Sequence, residues 1–287
     1  MDKVLPFIFS FLLMALFLGL NSTATAQNWD FRDFDQTLSL TRGKISPKNN
    51  EGYYVEKDEA CRIAKSVWGW TDDNCRGIDA LVALTGPNID TLVLETPNSG
   101  GYVIYDDWDS SDKKKNIDKI WQGLKNNYLE QAKRTGDKLD MIKWLVYPTL
   151  IKEKNYLYYA YLLEINGEEQ PQLVASLFDR KGYVRFVIVT SGLTGSSSNL
   201  EFEATIESAL DLYTPNRTEA YADYTSGDKI SEYGVLGVLA TLAGVKWGKV
   251  AAAGIIGTLL IAAKKLWWII LLPFYFLIKK VFSRKDR

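Results

Sequence analysis

The stretch MIKWLVYPTLIKEKNYLYYAYLLEINGEEQPQLVASLFDRKGYVRFVIVT, residues 141–190, decides the fold class. Four segments rich in β-branched and aromatic residues lie within it, at 141–148, 156–165, 172–178 and 183–190. Short polar turns separate the segments, among them Asn166-Gly167 and Arg180-Lys181-Gly182. Consecutive strands joined by tight turns pair antiparallel, so the stretch predicts an antiparallel β-meander.

Helical and extended segments flank the meander on both sides. Residues 57–68 have apolar side chains at helical spacing, and Gly69 ends this predicted helix. Residues 78–84, 91–95 and 101–105 are short apolar runs between turn signals, which predicts strands. A long amphipathic helix is predicted around 117–129 and a second helix over 200–213. The predicted fold class is therefore α+β, an antiparallel β-meander with flanking helices, followed by a C-terminal transmembrane helix region.

The N-terminus resembles a secretory signal peptide. Lys3 precedes an apolar run over 4–20, and Ala24-Thr25-Ala26 stands directly before Gln27. We interpret residues 1–26 as a cleaved signal peptide, and the alternative is an uncleaved N-terminal membrane anchor. The remaining body, 27–232, forms either one exported domain or two subdomains over 50–135 and 136–232.

Residues 233–287 form an apolar, basic tail. Their net charge is +8, whereas that of residues 27–232 is −9. A positively charged flank of a membrane span stays in the cytoplasm, so the sequence predicts a single crossing with the domain outside and the C-terminus inside. The crossing segment is either 234–263 or 250–278. The acidic domain has no basic cluster, which argues against nucleic acid as a partner.

Glycines and lysines lie on opposite faces of the tail when it is drawn as one helix. Gly244 and Gly248 form a Gly-x-x-x-Gly pair, which favours close helix packing and predicts self-association in the membrane. The alternative interpretation is that the tail only anchors the protein in the membrane and does not self-associate. Lysines that we expect to contact lipid phosphates are Lys246, Lys264, Lys265, Lys279 and Lys280.

Cys61 and Cys75 are the two cysteines of the chain, and both lie in the exported part. In an oxidising compartment such a pair predicts one disulfide, the alternative being two buried thiols. The chain has no histidine. This excludes Ser-His-Asp and Cys-His catalysis and every histidine-ligated metal site. We expect no cofactor and no metal.

Asp106, Asp107 and Asp109 crowd one short loop and are the candidate cation or polar site. The loop lacks the glycine and the glutamate that an EF-hand requires at its sixth and twelfth positions. The competing interpretation is that these acids cap the helix beginning near Ser111. A two-carboxylate site would need Asp106, Asp107 and Glu95 to meet in a cleft.

Several motifs in a fixed order resemble a bacterial membrane-anchored family, catalogued as domain of unknown function 2167. The similarity covers about residues 50–287. The motifs are Gly101-Tyr102-Val103, Asp106-Asp107, Trp144, Pro148, Asp179-Arg180-Lys181-Gly182-Tyr183-Val184, Tyr221-Ala222-Asp223-Tyr224, Asp228-Lys229-Ile230 and Tyr233-Gly234. The resemblance implies an exported domain held at the bacterial inner membrane by a C-terminal span. The meander followed by a helix is also similar to the fold of photosystem subunit P, which does not transfer function.

Two functions follow as hypotheses. The first is a non-enzymatic, membrane-anchored extracytoplasmic interaction or sensing module, with membrane lipids and an unidentified envelope protein as partners. The second is a carboxylate-based hydrolase or a carbohydrate-binding protein of the cell envelope, because aromatic residues are numerous and can stack on sugars.

Overall fold

The computed structural model describes residues 29–48, 51–85, 89–97, 100–245 and 247. The predicted signal peptide, Lys246, Gly248 and the remaining tail lysines lie outside these residues. The strands are β1 (Arg32–Asp33), β2 (Leu38–Ser39), β3 (Gly43–Ile45), β4 (Gly52–Glu56), β5 (Ile78–Leu84), β6 (Thr91–Glu95), β7 (Leu139–Ile151), β8 (Tyr156–Ile165), β9 (Glu168–Asp179), β10 (Gly182–Val189) and β11 (Tyr213–Pro215). The α-helices are α1 (Lys57–Trp68), α2 (Asp72–Cys75), α3 (Lys113–Thr135), α4 (Asn199–Leu210) and α5 (Val235–Leu242).

The main sheet has eight strands in the order β1-β4-β5-β6-β10-β9-β8-β7. Its neighbours are all antiparallel, and β7 to β10 follow one another as the predicted meander. The α+β class and the meander are therefore confirmed. Strand β6 pairs with β10, so strands from 50–135 and 136–232 share one sheet. A second sheet, β11-β3-β2, has three short strands.

Helices cover both faces of the main sheet. Helix α4 packs on one face, where Phe202 and Ile206 are buried beside Phe186 of β10. On the other face α3 and α5 lie over the meander, and α1 lies over β4, β5 and β6. The second face therefore carries two separate helical layers, and the strands between them form the floor of a cleft.

Strand β8 is buried on both sides. Tyr156 and Tyr158 belong to the core under α4, whereas Tyr159 and Tyr161 belong to the core under α3. Alternation along a strand sends successive side chains to opposite faces. The alternation of tyrosines over 156–161 predicts one buried and one exposed set, and this is wrong because each face has its own helical layer.

The predicted strand over 101–105 is also wrong. Only Tyr102 makes a bridge there, to Ile230. Gly101 has a φ of 137°, and a Cβ at this position would overlap the carbonyl group of Lys229. The close backbone approach requires glycine and interrupts the extended run.

Helix α1 ends at Gly69, as predicted, with a left-handed φ of 64°. Cys61 of α1 and Cys75 of α2 form a disulfide with their Cα atoms 5.3 Å apart, which confirms the predicted bridge. It closes a loop of about 15 residues and stabilises the fold by about 3 kcal/mol in the chain-entropy model. The bridge joins α2 to α1, and the end of α1 forms one wall of the cleft together with Trp70 and Thr71.

The first residues of the predicted tail belong to the domain. Val235 and Leu239 are fully buried, and α5 packs with α3 over the meander. The helix ends at Leu242, and Gly244 has a left-handed φ of 66°. A helix that crosses the membrane over 234–263 is therefore wrong, because the helix from Val235 ends at Leu242 and its residues are used for core packing. Across the part of the chain described, no helix is long and apolar enough to span a membrane.

Candidate functional site

Asp107 caps a helix that lies 128 residues further along the chain. It sits in a 3₁₀ turn over Asp106–Asp109, and its carboxylate accepts hydrogen bonds from the backbone N–H groups of Val235 at 2.8 Å and Leu236 at 3.0 Å. Two backbone N–H groups at the N-terminus of α5, which have no acceptor within the helix, are thereby hydrogen-bonded. Burial raises the pKa of Asp107, and these two backbone hydrogen bonds oppose that rise.

The three loop aspartates do not converge. Asp106 is exposed, and Asp109 pairs instead with Lys152, its carboxylate 2.6 Å from the ammonium nitrogen. Within the described ranges, no group of three acidic, cysteine or histidine side chains is arranged to hold a metal ion. The interpretation that these acids cap the helix near Ser111 is wrong, because α3 has no side-chain cap and Asp107 caps α5 instead. Glu95 lies elsewhere, paired with Arg185.

The segment 219–234, which we call the clamp, joins the motifs around Gly101 and Arg180. The ring of Tyr102 lies between those of Tyr221 and Tyr224, each with its centroid 4.3 Å away. Tyr221 donates a hydrogen bond from its hydroxyl to the carbonyl oxygen of Val103 at 2.8 Å. The backbone N–H of Ser231 donates to the carbonyl of Tyr102 at 2.8 Å. The clamp thus leads directly into the capped start of α5.

Arg180 holds the middle of the clamp. Its Nε donates to one oxygen of Asp228 at 2.7 Å, and its Nη2 donates to the other oxygen at 2.8 Å. The backbone N–H of Thr225 also donates to Asp228 at 2.7 Å. Such a bidentate guanidinium–carboxylate pair fixes orientation as well as position.

The pair should be visible in the titration of Asp228. Hydrogen bonds from Arg180, then from Thr225, lower the pKa of Asp228 to about 2. A depressed carboxyl pKa contributes stability above its unfolded value and loses it as the pH falls towards 2. We expect Arg180→Gln to return the pKa of Asp228 towards its ordinary range, as measured by NMR titration. An unchanged pKa in that variant would show that the pair is not formed.

A cleft of about 380 Å³ lies between the two helical layers on the second face of the sheet. Val93, Val187 and Val174 contribute to its floor from β6, β10 and β9. One wall carries Trp68 and Trp70, whose ring centroids are 5.8 Å apart, and the opposite wall is α3. Volumes of about 300–1,000 Å³ with apolar walls and a few polar groups are typical of small-molecule sites.

Arg185 lines the cleft floor and forms a buried ion pair with Glu95. Nη1 of Arg185 donates to both oxygens of Glu95 at 3.1 Å, and the Arg185 side chain is 21% exposed while that of Glu95 is 7% exposed. Burial raises the pKa of Glu95, and Arg185 opposes this rise. Burial also opposes the charge on Arg185, but Glu95, Tyr159 and Tyr161 together more than offset this effect, so the pKa of Arg185 is raised.

Tyrosine hydroxyls surround this pair. The hydroxyl oxygens of Tyr128 on α3 and Tyr161 on β8 are 2.6 Å apart. Burial raises the pKa of Tyr159 and Tyr161, so both stay protonated and can donate hydrogen bonds. The Arg185–Glu95 pair is therefore surrounded by several hydrogen-bond donors, of which Tyr128 and Tyr161 also line the cleft.

The end of α5 closes one side of the cleft. Thr241, Ala243 and Gly244 line it, and Asn127 of α3 donates from its amide nitrogen to the carbonyl of Ala243 at 2.6 Å. Gly244, which we predicted at a helix–helix contact in the membrane, lies against Asn127 of the same chain. Gly248, the other member of the predicted pair, lies outside the described residues.

Sequence reasoning did not identify Arg185. A signal was present, because Arg185 is the one charged residue within the apolar run YVRFVIVT over 183–190. A charge in a strand buried on both faces is rare unless it is paired. Its partner Glu95 is 90 residues away in sequence and cannot be matched to it without the strand order.

Comparison with known proteins gives one family and one solved structure. The family model described as "Protein of unknown function (DUF2167)" matches residues 35–275. No curated protein matches the chain. The solution structure of cyanobacterial PsbP (CyanoP) from Synechocystis sp. PCC 6803 matches with 10% sequence identity and a TM-score of 0.30, covering 69% of this chain and 99% of that one.

Proposed function

The chain belongs to the DUF2167 family, whose function is unknown, and we propose that it is a non-enzymatic binding and sensing module, anchored on the extracytoplasmic side of the bacterial inner membrane. Its ligand would occupy the cleft between α1 and α3. The observation that carries this proposal is the cleft itself, because it combines a valine floor and a tryptophan wall with the buried Arg185–Glu95 pair. Such a combination is typical of a site that binds one small molecule in a fixed orientation.

The position of the cleft supports a sensing role. Thr241, Ala243 and Gly244 line it and directly precede the part of the apolar tail that begins at Val245. A ligand that contacts these residues would favour one arrangement of the end of α5 over others, which is the requirement for a population shift. The tail would then carry that shift to the membrane or to a partner protein.

The basic tail supports the proposed anchoring. Residues 233–287 carry a net charge of +8, which favours the cytoplasmic side of a membrane. In this proposal Lys246, Lys264, Lys265, Lys279 and Lys280 contact lipid phosphates, and the tail is available for self-association or for an envelope protein.

Hydrolysis by paired carboxylates has little support from the geometry. Asp107 caps α5, Asp109 binds Lys152, and Glu95 binds Arg185, so the acids do not share a site. Carbohydrate binding stays a second candidate, because Trp68 and Trp70 present adjacent rings on the cleft wall.

The test uses full-length protein taken from membranes in a mild detergent and examined by native mass spectrometry. Val187→Trp fills the cleft from its floor, and Leu200→Trp, at a position 75% exposed on α4, is the matched control. We expect wild type and Leu200→Trp to carry a bound small molecule that Val187→Trp lacks. The proposal would be contradicted if all three proteins carried the same bound mass, or if wild type carried none. Recovery of the protein outside the membrane fraction would also contradict it.

A further inference from the structure

Arg185 has an unused hydrogen-bonding edge. Only its Nη1 is engaged, by Glu95, whereas its Nε is buried without a hydrogen-bond partner among the described residues. Nε and Nη2 form the side of a guanidinium group that donates two parallel hydrogen bonds. A buried N–H without an acceptor destabilises the folded protein, so an acceptor at this edge would be strongly favoured.

Ser176 adds a second unused group beside Arg185. The two residues are directly opposite in the pairing of β10 with β9, so their side chains point to the same face. Ser176 is fully buried, and its hydroxyl also lacks a hydrogen-bond partner within the described part of the chain. Glu95, Arg185 and Ser176 therefore form one polar row across three neighbouring strands on this face.

The charges of Arg185 and Glu95 determine which kind of ligand acceptor suits the free edge of Arg185. Glu95 already neutralises Arg185. A ligand carboxylate at the free edge would place a second negative charge beside Glu95 in a region of low dielectric constant. An uncharged oxygen satisfies the same donors without that repulsion.

Resting on the proposed binding function of the cleft, we propose that its ligand is an uncharged amphipathic molecule with an amide or ester carbonyl at one end. The carbonyl oxygen accepts from Nε and Nη2 of Arg185, and the Ser176 hydroxyl hydrogen-bonds to the same head group. The apolar part lies over Val93, Val174 and Val187 towards the tryptophan wall.

Three six-carbon probes that differ only in the head group test this assignment: hexanamide, hexanoate and hexylamine. Their dissociation constants are measured by ligand-observed NMR with the full-length protein in amphipol. We expect hexanamide to bind wild type at least about tenfold more tightly than either charged probe, since tenfold corresponds to about 1.4 kcal/mol. Glu95→Gln removes the negative charge, so it should strengthen hexanoate binding by about tenfold and leave hexanamide within about threefold.

Ser176→Ala is a second variant that removes only the unpartnered hydroxyl, and it serves if Glu95→Gln does not fold. We expect it to weaken hexanamide binding about fivefold, equivalent to about 1 kcal/mol for one hydrogen bond. The proposed ligand class would be overturned if wild type bound hexanoate as tightly as hexanamide. It would also be overturned if Ser176→Ala bound hexanamide as tightly as wild type does. Val187→Trp distinguishes a wrong ligand class from a wrong binding site. If the probes bind Val187→Trp as tightly as wild type, or do not bind wild type, the cleft is not the binding site.

Discussion

Arg185→Met is expected to lower the free energy of unfolding by about 3–5 kcal/mol, because it leaves Glu95 buried without a counter-charge. Glu95 is only 5% exposed as a residue, so water cannot replace the lost guanidinium. The measurement is urea unfolding of detergent-solubilised protein, followed by tryptophan fluorescence. This loss is large compared with the total stability of about 5–15 kcal/mol that is usual for a domain.

The double variant Arg185→Met/Glu95→Leu is the control for this prediction. Replacing both partners with apolar residues removes the unpaired charge and should recover most of the lost stability. In Arg185→Met alone, Glu95 loses the partner that lowers its pKa, so its folded pKa rises further above its unfolded value. A raised carboxyl pKa means that stability falls as the pH increases. The deficit should therefore be smaller at pH 5 than at pH 8, and a deficit independent of pH would contradict this explanation.

Gly101→Ala is expected to lower the free energy of unfolding by about 2–6 kcal/mol. The φ of 137° accounts for about 1–3 kcal/mol of backbone strain, and the overlap with the Lys229 carbonyl accounts for about 1–3 kcal/mol more. Unfolding in urea measures the loss. Faster proteolysis within the clamp should accompany it, because the contact between Tyr102 and Lys229 is broken.

Gly100→Ala is the matched control. Gly100 also has a positive φ, 77°, but a Cβ there meets no atom within 4 Å. Only the backbone term of about 1–2 kcal/mol remains at this position. If the two alanine variants were equally stable, the close approach of Gly101 to Lys229 would not hold the clamp in place.

Local patterns in the sequence predicted much of the fold. Strand β8 has the predicted bounds 156–165 because a dense apolar run between Asn155 and Asn166-Gly167 leaves little ambiguity. Helix α1 has the predicted bounds 57–68 because its acidic first turn and Gly69 mark both ends. In these elements, local preference and tertiary packing agree.

Long-range contacts account for what the sequence did not show. The apolar residues of α5 are equally suited to a membrane and to a protein core, and only the neighbouring α3 and meander distinguish the two. The Asp107 cap joins residues 128 positions apart, and the Arg185–Glu95 pair joins residues 90 positions apart. Periodicity describes the chain over one element at a time, so it cannot reveal such pairs.

Helix α5 gives the tail a mechanical connection to the sheet. The chain passes from buried Leu242 to Val245 within three residues, and Val245 packs against Gly123 of α3. The backbone N–H of Val245 donates to Ala240 at 2.8 Å, while Asp107 holds the other end of the helix. A force that acts on the chain beyond Val245 is therefore borne by a helix that is fixed at both ends. Such a force would be transmitted to α3 and the sheet without first unfolding a flexible linker.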